Sequence, residues 1–305
     1  MTSPLHSGRL AVRLPNWLGD TLMAFPLLRE LSNAGVDFTC FGHPWVADIF
    51  AATGFDVVAD ARVRKKLWMA RRYRQGQFSD VLLCPLSWSA VLPALLAGVA
   101  STGYHPLCKT RVAKRGTGHR VQQYFELGRA VFGEGKQPDR SGDFIPLSAE
   151  THREADRMLA DVVSGPFVVV CPYAANLHKG MDKEWPHWRS FIKGSDNTTL
   201  LGLVAPEDRP RFEREYPDTA VLTARLSVTA AIMRRADHVI TNDSGAMHLA
   251  SFFGANVLGL LGITDHSLTH PWFGASLSGE DGPWASLGAL RDRLQDLSKG
   301  KGEAR

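Results

Sequence analysis

Cysteine is scarce and scattered. The chain has four, Cys40, Cys84, Cys108 and Cys171, with no CxxC pair and no Cys/His spacing that suits zinc. This excludes a disulfide-stapled scaffold and predicts reduced thiols in a cytosolic protein. Long apolar runs are missing too. The longest, VLPALLAGVA (91–100), contains Pro93 and is too short to cross a bilayer. The start, MTSPLHSGRLAV, has no apolar stretch behind a basic one, so no signal peptide is expected. Tandem repeats and low-complexity tracts are absent.

Several catalytic signatures are also missing. Neither GxGxxG nor GxxxxGK[ST] occurs, which disfavours a dehydrogenase and a P-loop enzyme. A GxSxG elbow, an HExxH helix and a convincing acidic DxD loop are absent as well.

What is present is a chain of 305 residues, 44% hydrophobic and 22% charged. That suits a soluble protein of two domains with a core that needs no staple. The net charge is only +4, too small to indicate a nucleic-acid protein by itself. The positive charge is clustered, however. RVRKKLWMARRYR (62–74) holds seven Lys/Arg and KTRVAKRGTGHR (109–120) five, with no acid in either. These runs are either solvated surface or a face for a polyanion such as phosphorylated lipid, anionic membrane or nucleic acid.

Short β-rich runs alternate with amphipathic ones. LAVRL (10–14), VDFTCF (36–41), DVVAD (56–60) and DVLLC (80–84) predict strands in the first half. Helices are expected over 20–33, bent at Pro26, and over 45–53, 64–75, 89–98 and 122–132. The polar stretch GEGKQPDRSGDF (133–144) reads as the start of an interdomain connection. The second half repeats the pattern. It has strands at 167–171, 199–204, 220–223, 238–242 and 256–262, and helices at 150–163, 227–236, 244–253 and 283–297. Such alternation predicts an α/β fold with two Rossmann-like domains, 1–148 and 149–305, whose parallel sheets face each other across a cleft. Ligands of such sheets bind beyond the carboxyl ends of the strands, which selects four places.

The first is RLPNWLGD (13–20). Gly19 would let the chain turn tightly, and Asp20 falls near a helix start. Asp20 is either a first-turn acid interacting with the helix dipole or a carboxylate placed to take a proton. The second is TNDSGAMHLA (241–250), where a strand hands over to a helix. Ser244 and Gly245 would offer first-turn N–H groups to an anion, with His248 about one turn further on. Asp243 would orient the loop or accept from a sugar hydroxyl. The bland alternative is an N-cap plus a packed histidine. The third is PYAANLHKGMDKEWPHW (172–188). Lys179 and Lys183 are candidate phosphate cations or plain loop charges, and Trp185 and Trp188 are expected to anchor the next helix in the core. The fourth is LGITDHSLTHPW (261–272), where Thr264 and Asp265 bind sugar hydroxyls or form a turn.

An early PNWLGD turn, then K-x-W-P after a strand, then NDSGxMHxA together resemble the bacterial ADP-heptose lipopolysaccharide heptosyltransferases, glycosyltransferase family 9. The resemblance runs from about residue 9 to about residue 275 and lies closer to the second inner-core heptosyltransferase than to the first. It implies the GT-B architecture, with an acceptor-binding first domain and a nucleotide-sugar-binding second domain. It implies inverting transfer of heptose from ADP-heptose to a phosphorylated lipid A-core acceptor, on the cytoplasmic side and peripheral to the inner membrane. It implies no metal, no cofactor and no nucleic-acid partner. By position, Asp20 matches the catalytic base and Lys183 the lysine on the donor diphosphate. Asp243, Ser244, Gly245 and His248 match the donor motif, with Thr264 and Asp265 beside it. Asn16, Arg64, Lys65, Arg111 and Arg115 are the candidate acceptor contacts. Ile263 stands where the family usually has proline, and the 172–183 loop departs from the usual small-residue pattern. Two other readings stay open: a GT-B enzyme using another nucleotide sugar, and a non-catalytic nucleotide- or anion-binding module.

Overall fold

The computed structural model describes residues 8–113, 118–174, 181–195 and 198–302, with side chains to 297. The chain divides into two compact units, Met1–Ser148 and Ala149–Arg305.

The first unit is built on a six-stranded sheet of β1 (Leu10–Arg13), β2 (Phe38–Gly42), β3 (Asp56–Ala59), β4 (Asp80–Leu83), β5 (Ala100–Gly103) and β6 (Thr110–Arg111). The spatial order is β3-β2-β1-β4-β5-β6 and every pairing is parallel. β1 and β2 are buried along their whole length, as central strands covered on both faces should be. Around them lie α1 (Leu18–Met23), α2 (Phe25–Asn33), α3 (Val46–Ile49), α4 (Lys66–Gln75), α5 (Trp88–Ala97), α6 (Arg120–Glu126) and α7 (Arg129–Phe132). One side of the core gathers Ala11, Phe41, Tyr73, Val81, Leu83 and Val91.

The expected bent helix over 20–33 is two helices that part at Ala24. Pro26 has no N–H to return to the carbonyl four residues back, so it stops the first helix and opens the second. β5 and β6 were not expected from the sequence. ASTG and TR contain no apolar run, and pairing rather than hydrophobicity brings them into the sheet, β5 against β4 and β6 against β5. The polar stretch beyond residue 133 is coil tied back to α2, where the Arg29 guanidinium forks onto Asp143 at 2.6 and 2.5 Å.

The second unit repeats the plan with β7 (Val168–Cys171), β8 (Leu200–Leu203), β9 (Ala220–Leu222), β10 (His238–Asn242), β11 (Val257–Leu260) and β12 (Ala275–Leu277). Their order is β12-β11-β10-β7-β8-β9, again all parallel. The helices are α8 (Ala149–Ala160), α9 (Trp188–Lys193), α10 (Arg209–Glu215), α11 (Leu226–Arg235), α12 (Gly245–Phe252), α13 (His266–Thr269) and α14 (Leu287–Gly302). α10, RPRFERE, escaped the sequence reading because Phe212 is its one buried residue. Trp185 and Trp188 pack edge to face at 5.6 Å in the core with Phe191 and Ile240, as expected. All four cysteines are free and buried. Among the described residues, no helix is long and apolar enough to cross a membrane.

Candidate active site

In the first unit, β1 ends at Arg13 and α1 begins at Leu18, so Leu14–Trp17 form the crossing loop at the carboxyl edge. Trp17 is extended (φ −104°, ψ 145°) and contributes no side-chain cap. The turn is made in this loop rather than at Gly19. Gly19 lies in the first turn of α1 and is not among the residues with a left-handed φ. The Thr21 hydroxyl donates to the Pro15 carbonyl at 3.2 Å and fixes the loop on the helix.

Asp20 is the acid of that first turn and is half-buried. The Tyr124 hydroxyl, carried by α6, donates to Asp20 Oδ1 at 2.9 Å. Burial, with the Asp20 charge as the next cause, holds the Tyr124 phenol well above its ordinary pKa. Tyr124 is therefore a permanent donor, and it takes one carboxylate oxygen while the other has no bond to it.

Below the loop lies Arg13, buried at the end of β1. Its guanidinium donates to the Leu14 carbonyl and, at 2.7 Å, to Asn16 Oδ1. Among the described residues no carboxylate pairs with it. Burial pulls its pKa down, yet an arginine stays charged, so the edge carries a fixed positive charge. His43, in the loop after β2, is pushed toward its neutral form by burial first, then by Arg13 and Arg64. Arg64, Lys65 and Arg111 lie exposed on the same unit. Arg115 lies outside the described residues.

In the second unit, β10 runs into α12 through Asp243 and Ser244. Ser244 occupies the N-cap position in extended conformation (φ −144°, ψ 177°) without a side-chain cap bond. Its Oγ lies 3.4 Å from Thr241 Oγ1 instead. The first-turn N–H groups beginning at Gly245 have no intrahelical partner and sit in a half-buried turn, free of the serine that could have capped them. Asp243 is buried and accepts from the Thr269 hydroxyl at 3.0 Å. Lys183 Nζ stands 3.7 Å from Asp243 Oδ2, so the structure brings together two candidates that the sequence placed 60 residues apart. His248 is buried on α12. Asp265 is the exposed N-cap of α13, bonded to Ser267 N and Oγ at 3.0 and 2.6 Å. Thr264 Oγ1 is buried with no hydrogen-bond partner among the described residues. Lys179 lies outside them.

Two positioning groups were missed by sequence reading. Asn242, fully buried, accepts from the Trp185 backbone N–H and from Trp188 Nε1, both at 2.9 Å, and donates to the Pro172 carbonyl at 2.7 Å. One side chain thus ties the end of β7 and the segment bearing Lys183 to the end of β10. Next to Lys183, Glu184 receives both ends of the Arg211 fork at 2.9 and 2.8 Å. The Arg211 guanidinium also stacks 4.1 Å from the Tyr173 ring centre and bonds Glu215 at 2.9 Å. The signal for Asn242 was in plain view: a polar residue closing an apolar strand must find partners when buried.

The fold and these edges have relatives. Residues 64–276 match the model of glycosyltransferase family 9 (heptosyltransferase). Lipooligosaccharide heptosyltransferase 2 of Haemophilus influenzae is 24% identical over 307 residues, spanning 84% of each chain. E. coli ADP-heptose LPS heptosyltransferase II superposes with a TM-score of 0.77 at 18% identity, over 96% of this chain and 99% of that one. E. coli heptosyltransferase WaaC with ADP superposes with a TM-score of 0.70 at 18% identity, over 95% and 99%. The architecture is that of the GT-B heptosyltransferases, two parallel six-stranded sheets under helices. The chain belongs to glycosyltransferase family 9 and is a glycosyltransferase of the heptosyltransferase type.

Proposed function

We propose that this glycosyltransferase moves a heptose from ADP-heptose to a hydroxyl of the phosphorylated lipid A-core acceptor of lipopolysaccharide, inverting the anomeric carbon. It would work on the cytoplasmic side, peripheral to the inner membrane. The observation that carries the chemistry is Asp20, a half-exposed carboxylate with one oxygen held by Tyr124. The heptosyltransferase family match and the Haemophilus relative support the donor.

An alcohol is a poor nucleophile at neutral pH. As its oxygen bonds to the anomeric carbon, the hydroxyl proton passes to Asp20 and the bond to the ADP oxygen breaks. General-base help of this kind is worth roughly 10²–10⁴-fold. ADP leaves with an added negative charge. Lys183 and the first-turn N–H groups from Gly245 would receive it, and one such preorganised donor is commonly worth about 3 kcal/mol. Asp243 would hold the lysine in place, with its remaining lone pairs available to a heptose hydroxyl. Ser244, Thr264 and Asp265 would contact the donor, and His248 would pack behind the turn. Asn16, Arg64, Lys65, Arg111 and Arg115 would meet the anionic acceptor.

Two variants test the reading. Asp20→Ala should lose about 10²–10⁴-fold in turnover of ADP-heptose and keep its calorimetric affinity for ADP. Lys183→Ala should weaken ADP binding by about tenfold or more, the usual loss of a charged hydrogen bond. Unchanged turnover in Asp20→Ala removes the base, and faster turnover of another nucleotide sugar removes the donor.

A further inference from the structure

A cavity of about 300 Å³ opens in the first unit between α6, the start of α7 and the coil at 137–138. That is the lower end of the range for small-molecule sites, roughly 300–1,000 Å³. Gln122 and Glu126 line it from α6 and Arg129 from α7. This is not the face of α6 that carries Tyr124. Successive helical residues turn by about 100°. Gln122 and Glu126, each two positions from Tyr124, therefore point about 200° away from the group that holds Asp20. The walls are fixed. A Cβ at Gly128 would collide with Leu27, so the turn between α6 and α7 is pressed onto α2. The coil is tied to the same helix by the Lys136–Glu30 ion pair and the Arg29–Asp143 fork. Phe125 and Pro138, both buried, give the cavity an apolar side.

The polar groups around this space are largely unspent. The Arg129 side chain is only 10% exposed. Its Nε donates to Glu126 Oε2 at 2.7 Å. The other carboxylate near it, Glu134, stands 3.8 Å from Nη1, too far for a hydrogen bond. Four of the five N–H donors of a guanidinium thus have no hydrogen-bond partner among the described residues, although the side chain is nearly buried. Glu126 Oε1 and the side-chain amides of Gln122 and Gln137 form no hydrogen bond among them either. Buried polar groups are normally partnered, and these converge on one cavity. Charge narrows the occupant. Glu126 offsets Arg129 and Glu134 stands close by, so an anion would meet two carboxylates and a cation would meet the guanidinium. A neutral hydroxyl suits both, since it donates and accepts.

We propose that this cavity binds a neutral sugar ring, at a site separate from the one that carries out transfer. Adjacent hydroxyls accept from the Arg129 η nitrogens and donate to Glu126 Oε1. The Gln122 and Gln137 amides do either, and the C–H face of the ring rests on Phe125 and Pro138. No reacting group of the transfer chemistry takes part, so the site does not depend on which sugar the enzyme moves.

The test is ligand-observed NMR titration of the full chain with glucose, mannose and galactose at millimolar concentrations, against gluconate and glucosamine as the charged analogues. At least one neutral hexose should bind the wild type, and more tightly than either analogue. Arg129→Lys keeps the charge beside Glu126 and loses the fork. It should weaken that binding by about tenfold or more, the scale of a charged hydrogen bond. Gln122→Ala removes an exposed side chain and should weaken it several-fold. If Arg129→Lys fails to fold, Gln122→Ala decides. A fall in affinity in a folded variant supports the cavity. Methyl glycosides of the same hexoses separate two sources of the ring: equal binding supports the end of a glycan chain as occupant, and weaker binding supports a free sugar. Wild-type protein that binds none of the three hexoses overturns the proposal. So does tighter binding of gluconate or glucosamine, which removes the neutral class. Hexose binding unchanged in both variants also overturns it, because the sugar is then held elsewhere.

Discussion

Tyr124 Oη donates to Asp20 Oδ1 across 2.9 Å, joining residues 104 positions apart in the chain. The bond selects one carboxylate oxygen and one rotamer of the candidate base. Tyr124 touches no substrate in the proposed reaction and is therefore a positioning residue.

Tyr124→Phe keeps the ring and removes only the hydroxyl. A hydrogen bond to a charged group contributes about 1.5–3 kcal/mol, so kcat should fall by roughly ten- to a hundredfold. ADP affinity by calorimetry should stay at the wild-type value, because the proposed donor groups are on the other unit. A variant with wild-type kcat would mean that Asp20 needs no orientation, and one with weakened ADP binding would point to a broader structural defect.

Arg13 poses a different question, since a buried cation without an acid is costly to keep. It earns two hydrogen bonds, to the Leu14 carbonyl and Asn16. Each such bond from a charged group contributes about 1.5–3 kcal/mol, which the desolvation penalty of several kcal/mol for a buried ion offsets. Arg13→Met should therefore leave the thermal midpoint near wild type or raise it. Turnover should still fall several-fold, because Asn16, a proposed acceptor contact, loses its anchor. His43 supplies an independent readout. Burial, and then Arg13 and Arg64, lower its pKa below the ordinary 6.5. Between 6.5 and that lower value the unfolded chain holds a proton that the folded chain lacks. Stability contributed here is thus full above 6.5 and is lost as pH falls below it. In Arg13→Met the His43 titration followed by NMR should move upward and the acid-side loss should shrink. It should not vanish, because burial is the larger cause.

Much of this architecture was legible in the chain, and for identifiable reasons. Buried parallel strands such as VVVC and HVITN are continuous apolar runs that announce themselves. The carboxyl-edge rule then singles out the turns around Asp20 and Asp243 without any ligand. What escaped has a common cause: it depends on partners distant in sequence. β5 and β12 are strands because a neighbour pairs with them. Tyr124 sits on a helix whose own pattern says only that one face is buried. Lys183 and Asp243 were each visible as charges, but not as a pair at 3.7 Å. Gly19 misled in the other direction. A glycine at a strand-to-helix junction suggests a sharp turn, yet the residues before it make the turn and it joins the helix.

Asn242 offers the strongest test of how the proposed donor side is assembled. Its side chain satisfies the Trp185 N–H, the Trp188 indole N–H and the Pro172 carbonyl at once. Asn242→Ala leaves three buried polar groups without that partner, and each orphan costs about 1–3 kcal/mol before relaxation. The loss in unfolding free energy should be about 3 kcal/mol or more, read from chemical denaturation. The same variant should bind ADP more weakly, because Lys183 lies two residues before Trp185 and loses its anchored frame. Tryptophan emission should shift as the indole of Trp188 loses its acceptor. If stability falls while calorimetric ADP affinity holds, Asn242 only braces the core, and Asp243 alone suffices to hold Lys183 at the donor turn.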